Sequence, residues 1–426
     1  MSDLTKVLPQ DSETVQAIYA HWKQRGESEK PRRYLGGSEI GKECERQLWY
    51  GFRRCTKPNF DGRLYRLFNR GHREEETFVA ELKGIGCEVH EVDPTTGKQF
   101  EVVDVMGHFK GHADGVALGL PEAPKTWHLL EMKTASAKSF AKTKRDGCEK
   151  DKPQHFAQMQ VYMHLLGLKR ALYIVVNKDN DELYSERIRY DAKRAQALID
   201  KARRIITSTT APERISDRPD AFACKFCDAR ELCHGTSEVA VNVPELDCRQ
   251  CVHATPVEGG KWSCKLHGEA NKVCKDHLFL PALIGFAEPT DALTNADGSD
   301  VIEFTNTEDG TIWHHGSDDH AGQYPSGVLL TTPATLLLEG LKATADKVTG
   351  VNLEQRYSLD MDGVERAWKG KADDLIDAFQ QRFAVPMSNP NAEQSGDGWH
   401  AAEFYPHGCA IIYGDNAEIR TSEIPY

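Results

Sequence analysis

Two short segments rich in cysteine constrain the fold of this chain more than any other feature of its sequence. The stretch CKFCDARELC places Cys224, Cys227 and Cys233 within ten residues. A second set of four follows closely: Cys248, Cys251, Cys264 and Cys274. Thiols at such short spacings are typical of metal ligands, because cysteines that only fill core space have no reason to cluster. We therefore predict a metal centre at each set.

The spacing of the second set, C-x2-C-x12-C-x9-C, favours a structural zinc ion with four cysteine ligands. Three histidines of the same segment could replace one thiol: His253, His267 and His277. A second iron–sulfur cluster and a metal-free loop are the alternatives. The segment has few large apolar residues, so it requires a staple in order to fold. We expect zinc, and we assign residues 238–286 to a small metal-stapled module.

The first set, C-x2-C-x5-C, lacks the partners that common zinc motifs carry within about twenty residues, a second C-x2-C pair or an H-x3–5-H pair. Its three thiols therefore need a fourth ligand from elsewhere in the chain. Zinc or an iron–sulfur cluster would satisfy such a set. Electron transfer is disfavoured as the function, because no flavin, nicotinamide or second-cluster signature accompanies the thiols.

The rest of the chain has the composition of a soluble protein with two or three domains. Its 426 residues are too many for one ordinary core, and 28% of them are charged. The first residues, MSDLTKVLPQDSETV, lack the features of a signal peptide, and no apolar run is long enough to span a membrane. We expect a reducing cytoplasm and no membrane partner. Four further cysteines are then ordinary thiols: Cys55, Cys87, Cys148 and Cys409.

Charge is unevenly distributed along the chain. The formal net charge of −12 gives no general support for nucleic-acid binding. Between Lys42 and Arg73, however, nine basic residues face three acids, a local charge of +6. A solvated helix face and a track for an anionic polymer both explain this run.

The order of predicted elements indicates an α/β domain over residues 1–237, with helices around a small mixed sheet. Helices are predicted at 12–27, within 34–54, at about 63–83, about 153–167 and about 191–207, and strands around 87–92 and 99–105 and at 107–118, 126–136, 171–178 and 183–190. Ser38 is predicted as an N-cap. Residues 287–300 are predicted to be a polar linker. An α+β region of unknown role, 287–426, would contain helices near 333–347 and 362–384.

Two acids and a lysine converge in the predicted sheet. Glu131 and Lys133 lie two residues apart in LLEMKTAS, so both side chains leave one face of a strand. Asp114, in GHADG, belongs to the strand before the intervening turn. A cross-strand salt bridge on a solvated face is the ordinary explanation of such a set.

The helix predicted at 63–83 adds a third carboxylate. Its apolar stripe runs through Leu64, Phe68, Gly71, Phe78 and Leu82, and Glu75 occupies an inward position within it. A buried carboxylate is costly unless it is paired or bound to a cation. Carboxylates at Glu75, Asp114 and Glu131 suit Mg²⁺ or Mn²⁺, with places left for water and a phosphate oxygen. Such a metal can activate water for phosphodiester cleavage, and Lys133 would assist it.

These motifs resemble the RecB-like branch of the PD-(D/E)xK nucleases, over about residues 35–237. The matching motifs are GHREE (71–75), GHADG, EMK (131–133) and QMQVY, which contains Gln158 and Tyr162. The resemblance implies a restriction-endonuclease-like core in which Gln158 and Tyr162 support the active site and the DNA. Relatives often carry His at the first position, and His72 stands near Glu75 as the alternative ligand. His112 and His155 lie close to the same motifs, and we expect ordinary roles for them and for His128.

The resemblance extends to relatives with an iron–sulfur cluster, the CRISPR-associated and AddB-type exonucleases, which carry a C-x2-C-x5-C after the nuclease motifs. Their fourth cysteine lies far upstream, and Cys44 is in the corresponding place here. The resemblance thus implies a 4Fe–4S cluster held by four thiolates: Cys44, Cys224, Cys227 and Cys233. Zinc at these thiols is the alternative.

As a whole, the resemblance implies a metal-dependent deoxyribonuclease, an exonuclease acting on DNA ends in recombination, repair or phage DNA processing. Its setting would be a bacterial cell or a phage-encoded system, and its partner a recombination or single-strand-annealing protein. The rival hypothesis is a non-catalytic DNA-binding or scaffold protein on a nuclease-like fold. A binding-only relative has no reason to keep the set of Asp114, Glu131 and Lys133.

Overall fold

The elements of the chain follow from its apolar patterns and caps in a computed structural model. It describes residues 12–29, 32–237, 239–308, 310–317, 319–320 and 322–332, and four later strands. The α-helices are α1 Glu13–Glu27, α2 Glu45–Phe52, α3 Gly62–Gly84, α4 Ala137–Asp146, α5 Cys148–Asp151, α6 Pro153–Leu165, α7 Ala192–Thr207, α8 Arg230–His234 and α9 Ser326–Thr331. Within these described residues, no helix is both long and apolar enough to cross a membrane.

The strands form five sheets. They are β1 Leu35–Gly36, β2 Glu88–His90, β3 Glu101–Asp104, β4 Phe109–His112, β5 Val116–Leu118, β6 His128–Ala135, β7 Arg170–Asn177, β8 Leu183–Arg189, β9 Ala254–Val257, β10 Lys261–Cys264, β11 Gly268–Glu269, β12 Ala287–Thr294, β13 Asp300–Asn306, β14 Ile312–His315, β15 Gln323–Tyr324, β16 Gly370–Lys371, β17 Trp399–Tyr405, β18 Gly408–Tyr413 and β19 Asn416–Arg420. The sheet orders are β2-β5-β6-β7-β8, β1-β4-β3, β11-β10-β9, β12-β13-β14-β15 and β16-β19-β18-β17.

The five-stranded sheet is mixed, as the sequence predicted. β6 and β7 are parallel and are joined through α4, α5 and α6, whereas the other neighbouring strands are antiparallel. One face buries Leu130 and Met132 of β6 against Phe78 and Leu82 of α3. Because successive side chains of a strand leave opposite faces, Glu131 projects from the other face, toward α6.

The chain divides into two compact units, 1–236 with 242–285 and 237–241 with 286–426. The segment 242–285, predicted from the sequence within a separate module, therefore groups with the mixed-sheet core. In the second unit, β12 to β15 enclose Phe304 and Trp313, whose rings stack at a centroid distance of 4.9 Å.

Most predicted elements of the first unit are confirmed, and three local predictions are wrong. Ser38 does not cap α2, because its N-cap is Cys44. Residues 287–300 are not a linker, because β12 occupies most of them and pairs with β13. The apolar stripe of α3 is only half buried, because Phe68 is 45% exposed. The helices predicted near 333–347 and 362–384 lie outside the described residues.

Candidate active site

Strand β6 presents a carboxylate and an ammonium group on one face. The side chain of Glu131 is 1% exposed, and its Oε1 lies 2.7 Å from Nζ of Lys133. Lys133 remains 28% exposed and also donates a hydrogen bond to the carbonyl of Met132 at 3.0 Å. The lysine therefore contacts the buried carboxylate and also reaches solvent.

Asp114 lies in the link between β4 and β5, where backbone geometry fixes it beside β6. The backbone N–H of Met132 donates to its Oδ2 at 3.0 Å, and Nζ of Lys133 lies 3.6 Å from the same oxygen. Gly115 permits this link, because its φ of +145° favours glycine and a Cβ there would lie 2.8 Å from the carbonyl oxygen of His90. Lys133 thus lies between the carboxylate of Glu131 on β6 and that of Asp114 in the link before β5.

Glu75 reaches the same region from α3. Its pKa is raised by burial and then by the negative charge of Asp114, while His72 and Lys133 oppose the increase. His72 Nδ1 lies 3.6 Å from Glu75 Oε2, but its side chain is 75% exposed, compared with 34% for Glu75. Of the two residues predicted as alternatives, Glu75 is the one coupled to Asp114 and Lys133.

Helix α6 contacts the oxygen of Glu131 that Lys133 does not contact. Gln158 Nε2 donates to Glu131 Oε2 at 2.9 Å, which fixes the second oxygen of that carboxylate. Tyr162, one turn later, is 2% exposed. Tyr162 packs closely against two glycines. A Cβ on Gly37 would lie 2.6 Å from its ring, and a Cβ on Gly111 would lie 2.0 Å from its hydroxyl oxygen. Gln158 positions a carboxylate directly, and Tyr162 packs α6 against the backbone of neighbouring segments.

The site contains more acidic groups than basic ones. Burial raises the pKa of Glu131 to about 7, although Lys133 lowers it and Asp114 raises it further. Burial opposes the charge of Lys133, but Glu131 and Asp114 raise the pKa of this lysine above its usual value. Three carboxylates with one ammonium group leave excess negative charge, and a divalent cation would compensate for it.

A second pair near this site joins His155, for which an ordinary role was expected, to Tyr173, which was not predicted as a site residue. His155 Nδ1 lies 3.0 Å from the Tyr173 hydroxyl, and Tyr173 pairs in register with Glu131 across β6 and β7. Burial, followed by the charges of Lys133 and Lys152, lowers the pKa of His155 to about 4. A neutral imidazole therefore lies beside β7 and near Lys133. A prediction that the strand containing EMK pairs in parallel with the strand containing ALYIVV would have placed Tyr173 next to Glu131.

The structure brings the first cysteine set together with its predicted upstream partner. Cys44, at the N-cap of α2, lines one cavity with Cys224, Cys227 and Cys233. The pKa of Cys227 is raised mainly by burial, with a contribution from Cys44 and Cys233. Four thiols from segments about 180 residues apart thus surround a single space.

Cysteines of the second set are neighbours, and Cys274 among them lies beside an acid that was not predicted as a ligand. The pKa of Cys248 is raised by burial and then by its neighbours Asp247, Cys274 and Cys264. In the part of the chain that the structure describes, one group of potential ligand atoms lies within 4.8 Å of one another: His267, Cys274 and Asp276. In the sequence, Asp276 stands two positions after Cys274, and this short spacing could have identified it as a candidate ligand.

Buried cation contacts join the second cysteine set to α2. Arg249, between Cys248 and Cys251, donates to the carbonyl of Phe52 at 3.3 Å, and Arg53 donates to the carbonyl of Arg249 at 2.7 Å. Both guanidinium groups lie 5.4 Å from the ring centroid of Trp262. One short helix, α2, therefore begins at the first cysteine set and ends against the second.

A mixed sheet flanked by helices, with a Glu-x-Lys pair on a central strand, is the core of a nuclease of the PD-(D/E)XK class. The family model described as the PD-(D/E)XK nuclease superfamily matches residues 10–234, more than half of the chain, and the chain belongs to this superfamily. None of the curated proteins matches the chain at a significant level.

Solved structures also show similarity to about half of this chain. SSO0001 is 15% identical and covers 52% of this chain and 96% of its own, with a TM-score of 0.31. The complex of LHK-Exo with dAMP is 16% identical. It covers 45% of this chain and 90% of its own, with a TM-score of 0.31. A second structure of LHK-Exo, an alkaline exonuclease from Laribacter hongkongensis, is also 16% identical. It covers 45% of this chain and 90% of its own, with a TM-score of 0.30.

Proposed function

We propose that this protein is a Mg²⁺- or Mn²⁺-dependent DNA nuclease that hydrolyses phosphodiester bonds, and more specifically an exonuclease. The observation that carries the proposal is Lys133, whose Nζ lies 2.7 Å from Glu131 and 3.6 Å from Asp114 at a site that Glu75 also approaches. Membership of a nuclease superfamily supports the same reaction class. The preference for DNA ends rests on the sequence resemblance to RecB-like exonucleases.

Glu75, Asp114 and Glu131 would hold the metal ion, and their chemistry fits it. Each offers a hard oxygen ligand of the kind that Mg²⁺ and Mn²⁺ prefer. Burial and mutual repulsion raise the pKa of Glu75 and Glu131, so these groups gain when a cation is bound. When bound, the ion would supply a nucleophilic hydroxide and would neutralise charge on the phosphate.

The other residues of the site would orient these groups and the substrate. Lys133 keeps its ammonium group charged and partly exposed, where it can hold the attacking water or offset charge that develops on the phosphate. Gln158 would hold Glu131 in one orientation through its 2.9 Å hydrogen bond. Tyr162 would position α6, and DNA contact by this helix is what the family resemblance implies.

We further propose a 4Fe–4S cluster at the first cysteine set. Four thiols line one cavity there, which is the ligand set that such a cluster requires: Cys44, Cys224, Cys227 and Cys233. The cluster would close a loop of about 180 residues and would fix the start of α2 against the end of the domain.

At the second set we propose a structural zinc ion with ligands Cys248, Cys251, Cys264 and Cys274. The neighbouring His267 and Asp276 are alternative ligands, because their ligand atoms lie within 4.8 Å of each other and of the Cys274 thiol. Zinc there would stabilise the segment that packs on α2 through Arg249.

One experiment tests the function directly. Protein purified under anaerobic conditions is incubated with labelled linear DNA and with covalently closed circular DNA, in Mn²⁺ and then in EDTA. The proposal predicts metal-dependent degradation of linear DNA, no degradation in EDTA, and resistance of the closed circle. Loss of activity in Asp114→Asn, with DNA binding and fold retained, would assign the cleavage to this site. Binding without cleavage in every metal would instead support the scaffold hypothesis.

A further inference from the structure

Phe68 is a large aromatic residue that α3 leaves in solvent on the side of Glu75. Its side chain is 45% exposed, although it belongs to the stripe that buries Phe78 and Leu82 further along the helix. Phe68 and Glu75 are seven residues apart, so they share a helix face at a separation of about 10 Å along the axis. Gly71 lies between them on that face and has open space where a Cβ would stand.

Two other aromatic rings contact Phe68 and support its position. Phe60 contacts it edge to face at a centroid distance of 5.1 Å, and Tyr65 does so at 6.2 Å. Tyr65 in turn lies against Gly26 of α1, where a Cβ would approach its ring to 2.1 Å. An exposed aromatic ring with rigid aromatic support loses little entropy when a flat ligand stacks on it.

The surrounding charge favours an anionic ligand. The first twelve residues of α3, 62–73, contain four arginines and no acid: Arg63, Arg66, Arg70 and Arg73. Positive charge in the first turn opposes the helix dipole, so helix stability does not explain this distribution. Arg70 Nη2 donates to the carbonyl of Lys178 at 3.1 Å, which places this part of α3 beside the carboxyl end of β7.

We infer that Phe68, supported by Phe60 and Tyr65, is a base-stacking subsite for an unpaired nucleotide of the DNA strand that enters the Glu75 site. The inference rests on the proposed function, since it assigns the substrate of the same site as a single strand. Aromatic rings bind bases without sequence preference, and adjacent arginines bind the phosphates. At about 10 Å from Glu75, the stacked base would lie one or two nucleotides from the bond to be cleaved.

Binding of a fluorescent single-stranded oligonucleotide in EDTA tests the stacking without any cleavage. Phe68→Ala should weaken binding about tenfold, and Phe68→Trp should restore it. The matched control is Leu183→Ala, because Leu183 is 48% exposed on β8 and should leave binding unchanged. Circular dichroism of each variant checks that the fold is retained.

Combining Phe68→Ala with abasic oligonucleotides separates stacking from a general change in the surface. If Phe68 stacks on a base, abasic sites should weaken binding to the wild type but should add little to the loss in Phe68→Ala. Equal losses from abasic sites in both proteins would overturn the inference, as would unchanged binding by Phe68→Ala. Because this assay needs no metal, it can fail while wild-type protein cleaves DNA in Mn²⁺, and it can succeed if cleavage is absent.

Discussion

Nζ of Lys133 lies 2.7 Å from Oε1 of Glu131, a carboxylate that is 1% exposed, while the lysine itself is 28% exposed. Glu131 thus remains buried next to a positive charge that solvent can reach. A buried carboxylate that loses such a partner takes up a proton more readily, because burial penalises its charged form. Lys133 therefore favours the ionised form of Glu131, and in the proposed function it also faces the substrate.

Replacement of the lysine should affect cleavage much more than stability. We expect Lys133→Met to reduce the rate of DNA cleavage by at least about 100-fold, because the cation near the phosphate is lost. The variant should also weaken Mn²⁺ binding near neutral pH, because the pKa of Glu131 rises further when Lys133 no longer lowers it. Single-turnover cleavage and Mn²⁺ titration measure the two effects.

Lys138→Met serves as the control for this substitution, since Lys138 is an exposed lysine at the start of α4. It should retain full activity. Cleavage by Lys133→Met at the wild-type rate would remove Lys133 from the catalytic set.

The pKa of Glu131, raised by burial to about 7, predicts how metal binding depends on pH. Below that pH the carboxyl group is protonated, so a metal ion must displace a proton. The apparent affinity for Mn²⁺ should fall about tenfold for each pH unit below 7 and should level off above it. Calorimetric titrations at about pH 6, 7 and 8 would measure this. An affinity that is constant across this range would contradict the assignment of Glu131 as a ligand.

The same shift has the opposite sign for stability without metal. The folded pKa of Glu131 exceeds its unfolded value, so between about pH 4.5 and about 7 the folded state binds more protons than the unfolded state. The contribution of Glu131 to the free energy of unfolding should therefore fall as pH rises through this window. Saturating Mn²⁺ should reverse the trend, which thermal unfolding with and without the metal would detect.

Gln158 and Gln160 form a natural pair of test and control on α6. Gln158 bonds to the carboxylate of Glu131, whereas Gln160, 0% exposed, donates to the carbonyl of Arg189 at 2.8 Å. Gln158→Ala should weaken Mn²⁺ binding about 10- to 100-fold, because Glu131 loses the partner that orients it. Gln160→Ala should lower the melting temperature and leave Mn²⁺ affinity unchanged. Equal effects of the two variants on affinity would show that Gln158 has only a structural role.

The sequence predicted those parts of the site that depend on local periodicity. Glu131 and Lys133 share a face because a strand has a period of two, and this pattern is visible in EMK alone. The proximity of Asp114 follows from the antiparallel pairing of β5 with β6. Cys44 was placed with the later cysteines only through the family resemblance, because no local pattern connects residues about 180 positions apart.

The errors arose where long-range packing overrode a local pattern. Phe68 follows the apolar period of α3 but extends past the buried core formed by Phe78 and Leu82, so solvent reaches it. The polar residues 287–294 form β12 because β13 pairs with them through the backbone, and backbone hydrogen bonds do not require apolar side chains.

The first cysteine set yields a prediction about a single thiol. Cys44→Ser should remove the visible absorbance and most of the iron from protein purified under anaerobic conditions, because one of four thiolate ligands is lost. Cys87→Ser is the control, since Cys87 lies in the hydrophobic core of the mixed sheet. A colourless wild-type protein with one zinc ion at these thiols would reject the cluster and leave the four-thiol site intact.

Arg249 predicts that the second cysteine set and the nuclease core unfold together. The residue is 7% exposed and donates to the carbonyls of Phe52 and Arg33, so Arg249→Ala removes the donor of a buried hydrogen bond to Phe52 and of a partly buried one to Arg33. We expect a loss of about 3 kcal/mol in the free energy of unfolding. Arg218→Ala is the control, because the Arg218 side chain is 76% exposed and should cost almost nothing.

Chelation of the proposed zinc ion should destabilise the core through the same contact. Because Arg53 donates to the carbonyl of Arg249 and both guanidinium groups lie over the ring of Trp262, disorder at Cys248 and Cys251 would release α2. A zinc chelator should therefore lower the melting temperature of the wild type in one cooperative transition, and it should have a smaller effect on Arg249→Ala. Two separate transitions in the wild type, only one of them sensitive to the chelator, would show that the segment folds independently of the nuclease core.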